Sequence, residues 1–202
     1  MILFQISIFV ALIGDIILGL LVFGTNTRRA SNRGFLILSA ILAVWLTCLG
    51  FGSMSDNTGN AEMWIRLSSV TAALILTGFN ILRWSIIRQK ATWEEIFRGS
   101  RNWFLVYLPL AAMCLTPFFL KHAVIPGPDS VPKPIYGPGF LFYSGYFVVS
   151  SVILVVAFLR HLKMAGGVQR IELQFVLLGC AASLAVGITF LVMPLVTDNA
   201  NM

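Results

Sequence analysis

The sequence predicts an all-α fold: a polytopic membrane helix bundle of six transmembrane helices with the N-terminus outside. Three observations lead there. Of the 202 residues, 58% are hydrophobic and only 11% are charged, whereas soluble domains average about 45–50% apolar and roughly 25% charged residues. A 22.2 kDa globule has too much surface to hide that excess. Apolar residues also collect in six runs, each near the roughly 20 residues that cross a hydrocarbon layer about 30 Å thick. Finally, the basic residues between those runs fall mostly on one side.

The runs are Ile2–Phe23, Phe35–Ser53, Trp64–Ile87, Trp103–His122, Phe140–Arg160 and Ile171–Val196. None shows the short alternating pattern of a barrel strand. The first has no basic leader and no small-residue cleavage site, and it reads as a retained helix. The first connection holds Arg28, Arg29 and Arg33; the third holds Arg83, Arg88, Lys90, Arg98 and Arg101; the fifth holds Arg160, Lys163 and Arg170. Those are eleven of the fourteen Lys and Arg residues, and only Arg66, Lys121 and Lys133 fall on the opposite side. Cytoplasmic loops carry the basic excess, so these three connections are inside and both termini outside. The net charge of +6 is therefore a topology signal met by anionic lipid headgroups, and nucleic acid is not an expected partner. Residues 1–202 form one transmembrane domain, with no soluble domain attached.

The third connection contains Thr92-Trp93-Glu94-Glu95, a capping-box pattern. Trp93, Ile96 and Phe97 follow on one face, which predicts a short helix in the headgroup layer: an interfacial connector, or a coupling element that touches a partner. The fourth connection, residues 123–139, holds Pro126, Pro128, Pro132, Pro134 and Pro138. Proline fixes one backbone angle and removes a donor, so this loop is stiff and not helical. It runs through Tyr136-Gly137-Pro138-Gly139 into Phe140, Phe142, Tyr143 and Tyr146. Tyr136, Tyr143 and Tyr146 are the candidate ligand-binding or lid residues of a pocket open to the outside. Aromatic residues also collect at membrane interfaces in their own right.

Asp15 is the one formally charged residue deep in a span. Insertion scales place the cost of such a carboxylate at roughly 2.5–3.5 kcal/mol, so it calls for a partner. Counting residues from the helix ends puts Asn80 at a similar depth, with Arg83 able to reach upward. An Asp15–Asn80–Arg83 cluster is thus the expected intramembrane polar contact, either a helix tie or a proton or signal switch.

Catalysis and cofactors find little support. Cys48, Cys114 and Cys180 are single and widely spaced, so they read as small buried apolar residues, with no metal or redox pair. His122 and His161 are assigned to opposite membrane faces and cannot share one haem or metal ion. The serines in the spans have no histidine at matching depth to act as base. Gly179, Ala182, Ser183 and Gly187, spaced three and four apart, read as a close-packing stripe. A carrier draws only on Asp15 and the prolines at 109, 117 and 194. No enzyme activity, metal or cofactor is expected.

Three stretches resemble a known family. They are Asn26-Thr27-Arg28-Arg29-Ala30-Ser31-Asn32-Arg33-Gly34-Phe35 with Trp45, then Tyr136-Gly137-Pro138-Gly139, then Arg170-Ile171-Glu172-Leu173-Gln174 with Gly179. Together they are similar to the N-terminal seven-helix sensor region of bacterial histidine kinases and diguanylate cyclases. The sequence departs from that pattern in counting six helices and in containing no signalling domain. The resemblance implies a multi-pass sensor module of the bacterial cytoplasmic (inner) membrane. It would respond to a small ligand or membrane state and pass the signal through helix movement. Its partners would be membrane lipids and other membrane or signalling subunits. The alternative is a non-catalytic accessory or scaffold subunit of a larger membrane complex.

Overall fold

A computed structural model describes residues 2–90, 92–127 and 130–182. Among them the chain forms helices α1 (Ile2–Thr25), α2 (Ala30–Ser53), α3 (Thr58–Ile87), α4 (Trp93–Gly99), α5 (Arg101–Cys114), α6 (Gly139–Met164) and α7 (residues 167–182). Strands β1 (Leu120–Val124) and β2 (Lys133–Tyr136) lie between α5 and α6. Four helices, Leu3–Thr25, Ala30–Ser53, Thr58–Ile87 and Gly139–Met164, are long and apolar enough to cross a membrane. The chain divides into two compact units, Met1–Tyr143 and Ser144–Met202. In the second unit, Ser151 and His161 both bond carbonyls one turn back in α6, at Phe147 and Ala157.

The first unit is built around α3. Helix α2 packs along α3 and α1 along α2, while α4, α5 and β1 all rest on α3. Within its most apolar window α3 is 61% buried, against 11% for α1. The α2–α3 seam is tight because Gly34 faces Ser85: a Cβ at Gly34 would collide with the Ser85 hydroxyl and stand 2.9 Å from its Cβ and 3.2 Å from Leu82 Cα. The α1–α2 turn is held by Asn32, whose amide donates to Val22 O, Thr25 Oγ1 and Asn26 O at 2.9–3.1 Å, capping the end of α1. Helix α3 starts on Asn57, whose side chain accepts from Asn60 N at 2.8 Å.

Several boundaries differ from the sequence expectation. Helices α2 and α3 begin at Ala30 and Thr58 rather than at Phe35 and Trp64, because Ser31, Asn32, Arg33 and Asn60 are helical although polar. The fourth predicted span, Trp103–His122, does not hold over its length: α5 ends at Cys114, and His122 lies in β1. Pro117 cannot supply the next helical N–H, and the residue before a proline is pushed away from the helical region. The stiff fourth connection is an antiparallel hairpin, in which Ala123 pairs with Pro134 and Val124 with Lys133. Two strands leave every outer edge free, so Pro134 is tolerated there. The helix expected over Ile171–Val196 is seen to residue 182; Ser183, Gly187 and Pro194 lie outside the described residues.

Gly34→Ala should lower the thermal unfolding midpoint of the detergent-purified protein, since overpacking costs about 1–3 kcal/mol. Ser85→Gly in the same chain should restore part of the loss. An unchanged midpoint in Gly34→Ala would show that the seam is not tight.

Candidate functional site

Polar groups of the first unit gather at the two ends of α3. At the hairpin end, Arg66 donates from Nη1 to Leu115 O at 2.8 Å and from Nη2 to Leu120 O at 2.9 Å. One turn away, Glu62 accepts from Ala123 N at 3.1 Å. These two side chains satisfy the backbone where α5 stops and β1 starts. Beside them lies a cleft of about 300 Å³ lined by Gly59, Glu62, Met63, Arg66, Leu67 and Leu115. A second, more apolar crevice of about 420 Å³ opens between α1, α2 and α3, with Leu12, Val44, Cys48 and Thr71 among its walls.

The same end holds an aromatic cluster centred on the fully buried Phe119. Its ring lies 5.5 Å from Tyr136 and 5.2 Å from Tyr143, and Tyr136 stacks on Phe140 at 4.1 Å. The Tyr143 hydroxyl donates to Ser69 O on α3. Gly137 N and Gly139 N donate to Phe119 O and Phe118 O at 2.8 and 2.9 Å. A Cβ on either glycine would run into the Phe118 carbonyl, so the Tyr-Gly-Pro-Gly stretch is what lets the chain cross the end of α5. Of the three predicted tyrosines, Tyr136 and Tyr143 come together on Phe119 and line neither cavity. Tyr146 belongs to the second unit. Burial, with the nearby Cys114 sulfur adding to it, pushes the Tyr136 phenol up to about 12.

At the opposite end of α3, Asn80 is completely buried. Its amide donates to Ser100 Oγ at 3.0 Å, and its Oδ1 accepts from Arg83 Nη2 at 2.7 Å. Ser100 stands between α4 and α5 and is also fully buried. Helix α4 forms as its sequence predicts: Thr92 Oγ1 accepts from Glu95 N, and Glu95 Oε2 accepts from Thr92 N. Its Ile96 joins Ala30 and Ile81 in one apolar cluster, with Ile37 and Phe104 packed against it. Trp93 and Phe97 stack on each other at 6.2 Å and stay exposed.

Asp15 does not join Asn80 and Arg83. The Ser39 hydroxyl lies 2.8 Å from Asp15 Oδ1 and 2.9 Å from Asp15 O, sharing its proton between them. One turn along, a Cβ at Gly19 would meet Ser39 Oγ at 2.5 Å, so the two helices touch there. Asp15 Oδ2 is buried without a hydrogen-bond partner among the described residues. Depth matched Asn80, but α1 packs along α2, and Asn80 turns toward Ser100. Sequence reasoning missed Ser39, Glu62, Arg66, Ser100 and Phe119. Only Gly19, a small residue one turn from Asp15, signalled that a neighbouring helix comes close on that side.

The arrangement is one of buried polar ties within a helix bundle. Among the described residues no group of three His, Cys, Asp or Glu could hold a metal ion. Residues 7–201 match the family described as the N-terminal 7TM region of histidine kinase. The chain belongs to that family. Comparison with curated proteins gives no match. The N-terminal 7TM region of a histidine kinase is a membrane sensor region. The ties described above are thus parts of a sensor region in a signalling protein.

Two predictions follow from these contacts. In a double-mutant cycle, Asp15→Ala and Ser39→Ala should couple by about 0.6 kcal/mol and by no more than about 1.7 kcal/mol, the range for hydrogen bonds between membrane helices. Asp15→Ala and Arg83→Leu should add within about 0.3–0.5 kcal/mol. Thermal unfolding in detergent reads both, and coupling of Asp15 to Arg83 instead would reverse the assignment. The second concerns Tyr136, whose neutral form is favoured in the fold. An unfolded chain ionises it near its ordinary 10.0, while the folded chain keeps its proton up to about 12. Stability from this group is therefore intact below the unfolded value and falls as pH rises from there toward the folded one. Tyr136→Phe should remove that part of the alkaline loss; an identical pH profile for both proteins would contradict the burial.

Proposed function

We propose that the chain is the signal-input module of a sensor in the bacterial cytoplasmic membrane. The α4 end faces the cytoplasm, and the N-terminus and hairpin lie outside. The chain makes six crossings, α5 and the following turn supplying the fourth. Its 14 residues span about 21 Å at 1.5 Å each, and the turn of residues 115–119 carries the chain the rest of the way.

The observation that carries this reading is the placing of polar contacts along α3. Glu62 and Arg66 clamp the hairpin, and Asn80, itself bonded by Arg83, clamps the α4–α5 junction. From Glu62 to Arg83 is roughly 30 Å of helix at 1.5 Å per residue, close to the hydrocarbon thickness. A shift of α3 is thereby felt at both membrane surfaces. Input is proposed at the hairpin end, where the cleft beside Arg66 adjoins the turn after α5 and where Tyr136 and Tyr143 fix the aromatic cluster. The input is a small ligand or a membrane state, and the output is movement at the Asn80–Ser100 contact. Membrane lipids and signalling subunits are the partners in this reading.

The accessory-subunit reading draws on α1, whose apolar face shows Leu3, Val10, Ile13, Leu20 and Leu21 to its surroundings. One experiment separates the two readings: autophosphorylation of the complete gene product in native membranes. Asn80→Ala should change it about 2- to 30-fold, matching the roughly 0.5–2 kcal/mol by which mutations along a coupling route act, with insertion unchanged. A gene product without kinase activity would favour the accessory subunit. Wild-type phosphorylation in Asn80→Ala would remove the junction from the signal route.

A further inference from the structure

The surface at the α4 end has features that the signalling path does not use. The apolar residues predicted to share one face of α4 divide between a buried side and an adjoining exposed one. One is embedded: Ile96 is 2% exposed, and Ser100 at the end of the helix is fully buried. The other presents the stacked rings of Trp93 and Phe97, exposed to 38% and 42%. Two arginines sit over the indoles that frame this helix. The Arg33 guanidinium sits 5.5 Å from the centre of the Trp93 ring, and that of Arg88 sits 4.9 Å from the centre of Trp84, against which Gly99 packs. Arg33 uses Nε to donate to Thr27 O at 2.7 Å, and no described residue accepts from its Nη groups. Arg88 is exposed; its backbone N–H donates to Trp84 O at 2.9 Å, and no described residue accepts from its guanidinium. A guanidinium held on an aromatic face turns its N–H edge outward, and that edge fits the oxygens of a phosphate.

The acidic groups nearby are engaged locally. Glu95 closes the capping box, and Glu94 pairs with Arg98 at 2.6 Å. Lys90 and Arg101 add exposed positive charge on either side. Exposed aromatic rings flanked by outward-facing cations match the boundary between acyl chains and anionic headgroups.

We propose that Trp93 and Phe97, with Arg33 and Arg88, form a docking surface for anionic phospholipid in the adjoining leaflet. The rings enter between acyl chains and the guanidinium edges hold the headgroup phosphates. This rests on reading the chain as a membrane-embedded input module, and it adds a lipid contact at the output end of that module. The connection to that module is short: the seven residues of α4 carry the exposed Trp93 and Phe97 beside the buried Ile96, and run into Ser100, the acceptor for Asn80. Lipid that draws α4 outward loads the Asn80–Ser100 contact directly.

The test uses tryptophan emission of the full chain in phosphatidylcholine vesicles containing brominated phosphatidylglycerol or brominated phosphatidylcholine. A single Arg or Lys near an anionic surface concentrates anionic lipid about fivefold. The Trp93-dependent part of the emission, found by comparison with Trp93→Phe, should thus reach equal quenching at about fivefold less brominated phosphatidylglycerol than phosphatidylcholine. Arg88→Gln, a change at an exposed side chain, should reduce that preference, and Arg33→Gln should reduce it further. Equal quenching by both lipids in the unsubstituted protein would overturn the proposal and leave an interfacial helix without headgroup choice. Absence of quenching by either lipid, while Trp45 and Trp64 are quenched, would also overturn it and assign the surface to a protein partner. If Trp45 and Trp64 escape quenching as well, the membrane reading itself fails.

Discussion

Hydrocarbon offers no hydrogen bonds, so each backbone group that leaves a helix inside or beside the bilayer needs a partner from the protein itself. In this chain α3 supplies those partners. Arg66 caps the carbonyls of Leu115 and Leu120 where α5 gives way to the hairpin, and Glu62 takes the N–H of Ala123. At its other end Asn80 fills the gap between α4 and α5 by bonding Ser100. Without Arg66 and Glu62 the carbonyls of Leu115 and Leu120 and the N–H of Ala123 would lose these side-chain partners. With polar ties near both of its ends, α3 is the most enclosed of the four long apolar helices among the described residues.

The close packing follows from the same need. A polar side chain of two or three bonds reaches its partner only if backbones approach closely. Gly19 beside Ser39 gives that approach in α1–α2, while Gly34 beneath Ser85, whose hydroxyl bonds Leu82 O of its own helix, brings α2 and α3 into close contact. At the hairpin end Gly137 and Gly139 let their N–H groups reach the carbonyls of Phe119 and Phe118. Asn32 does for the α1–α2 turn what Arg66 does for α5, closing three acceptors at the end of α1. Two of the stretches that resemble the sensor family therefore consist largely of residues that finish helices or let them touch.

This also explains what could be read in the sequence. The membrane class, the apolar helices, the capping box at Thr92 and Glu95 and the stiffness of residues 123–139 are local properties of composition and spacing, and they stood on the sequence alone. The partners of Asp15 and Asn80 did not. Depth along a helix follows from counting residues, but the direction a side chain takes depends on which helices are neighbours. With α2 beside α1, Asp15 meets Ser39; with α4 and α5 beside α3, Asn80 meets Ser100. Depth correctly joined Asn80 to Arg83, which are three residues apart on one helix, and failed for the pair that needed a packing order. The hairpin was hidden for a related reason: Leu120–Val124 follows the apolar run of α5 without a long break, and only its pairing with Lys133–Tyr136 shows a strand.

Helix α4 shows how such a structure can carry information. Seven residues are too few to form a stable helix alone, since nucleation is costly and isolated helices shorter than about 12–15 residues are marginal. The capping box and the Glu94–Arg98 pair help by fractions of a kcal/mol to about 1 kcal/mol each, so the remainder comes from what covers its faces. On the inner face Ile96 meets Ala30 of α2 and Ile81 of α3. On the outer face Trp93 and Phe97 meet whatever lies beyond. Because the helix depends on both, a change at the outer face alters the free energy with which Ile96 and Ser100 hold their places. Asn80 then feels the change through one hydrogen bond, and Asn80 sits on the helix that also holds the hairpin. A marginal helix between a rigid rod and its surroundings is thus a suitable element for a sensor: it is weak enough to respond and short enough to transmit.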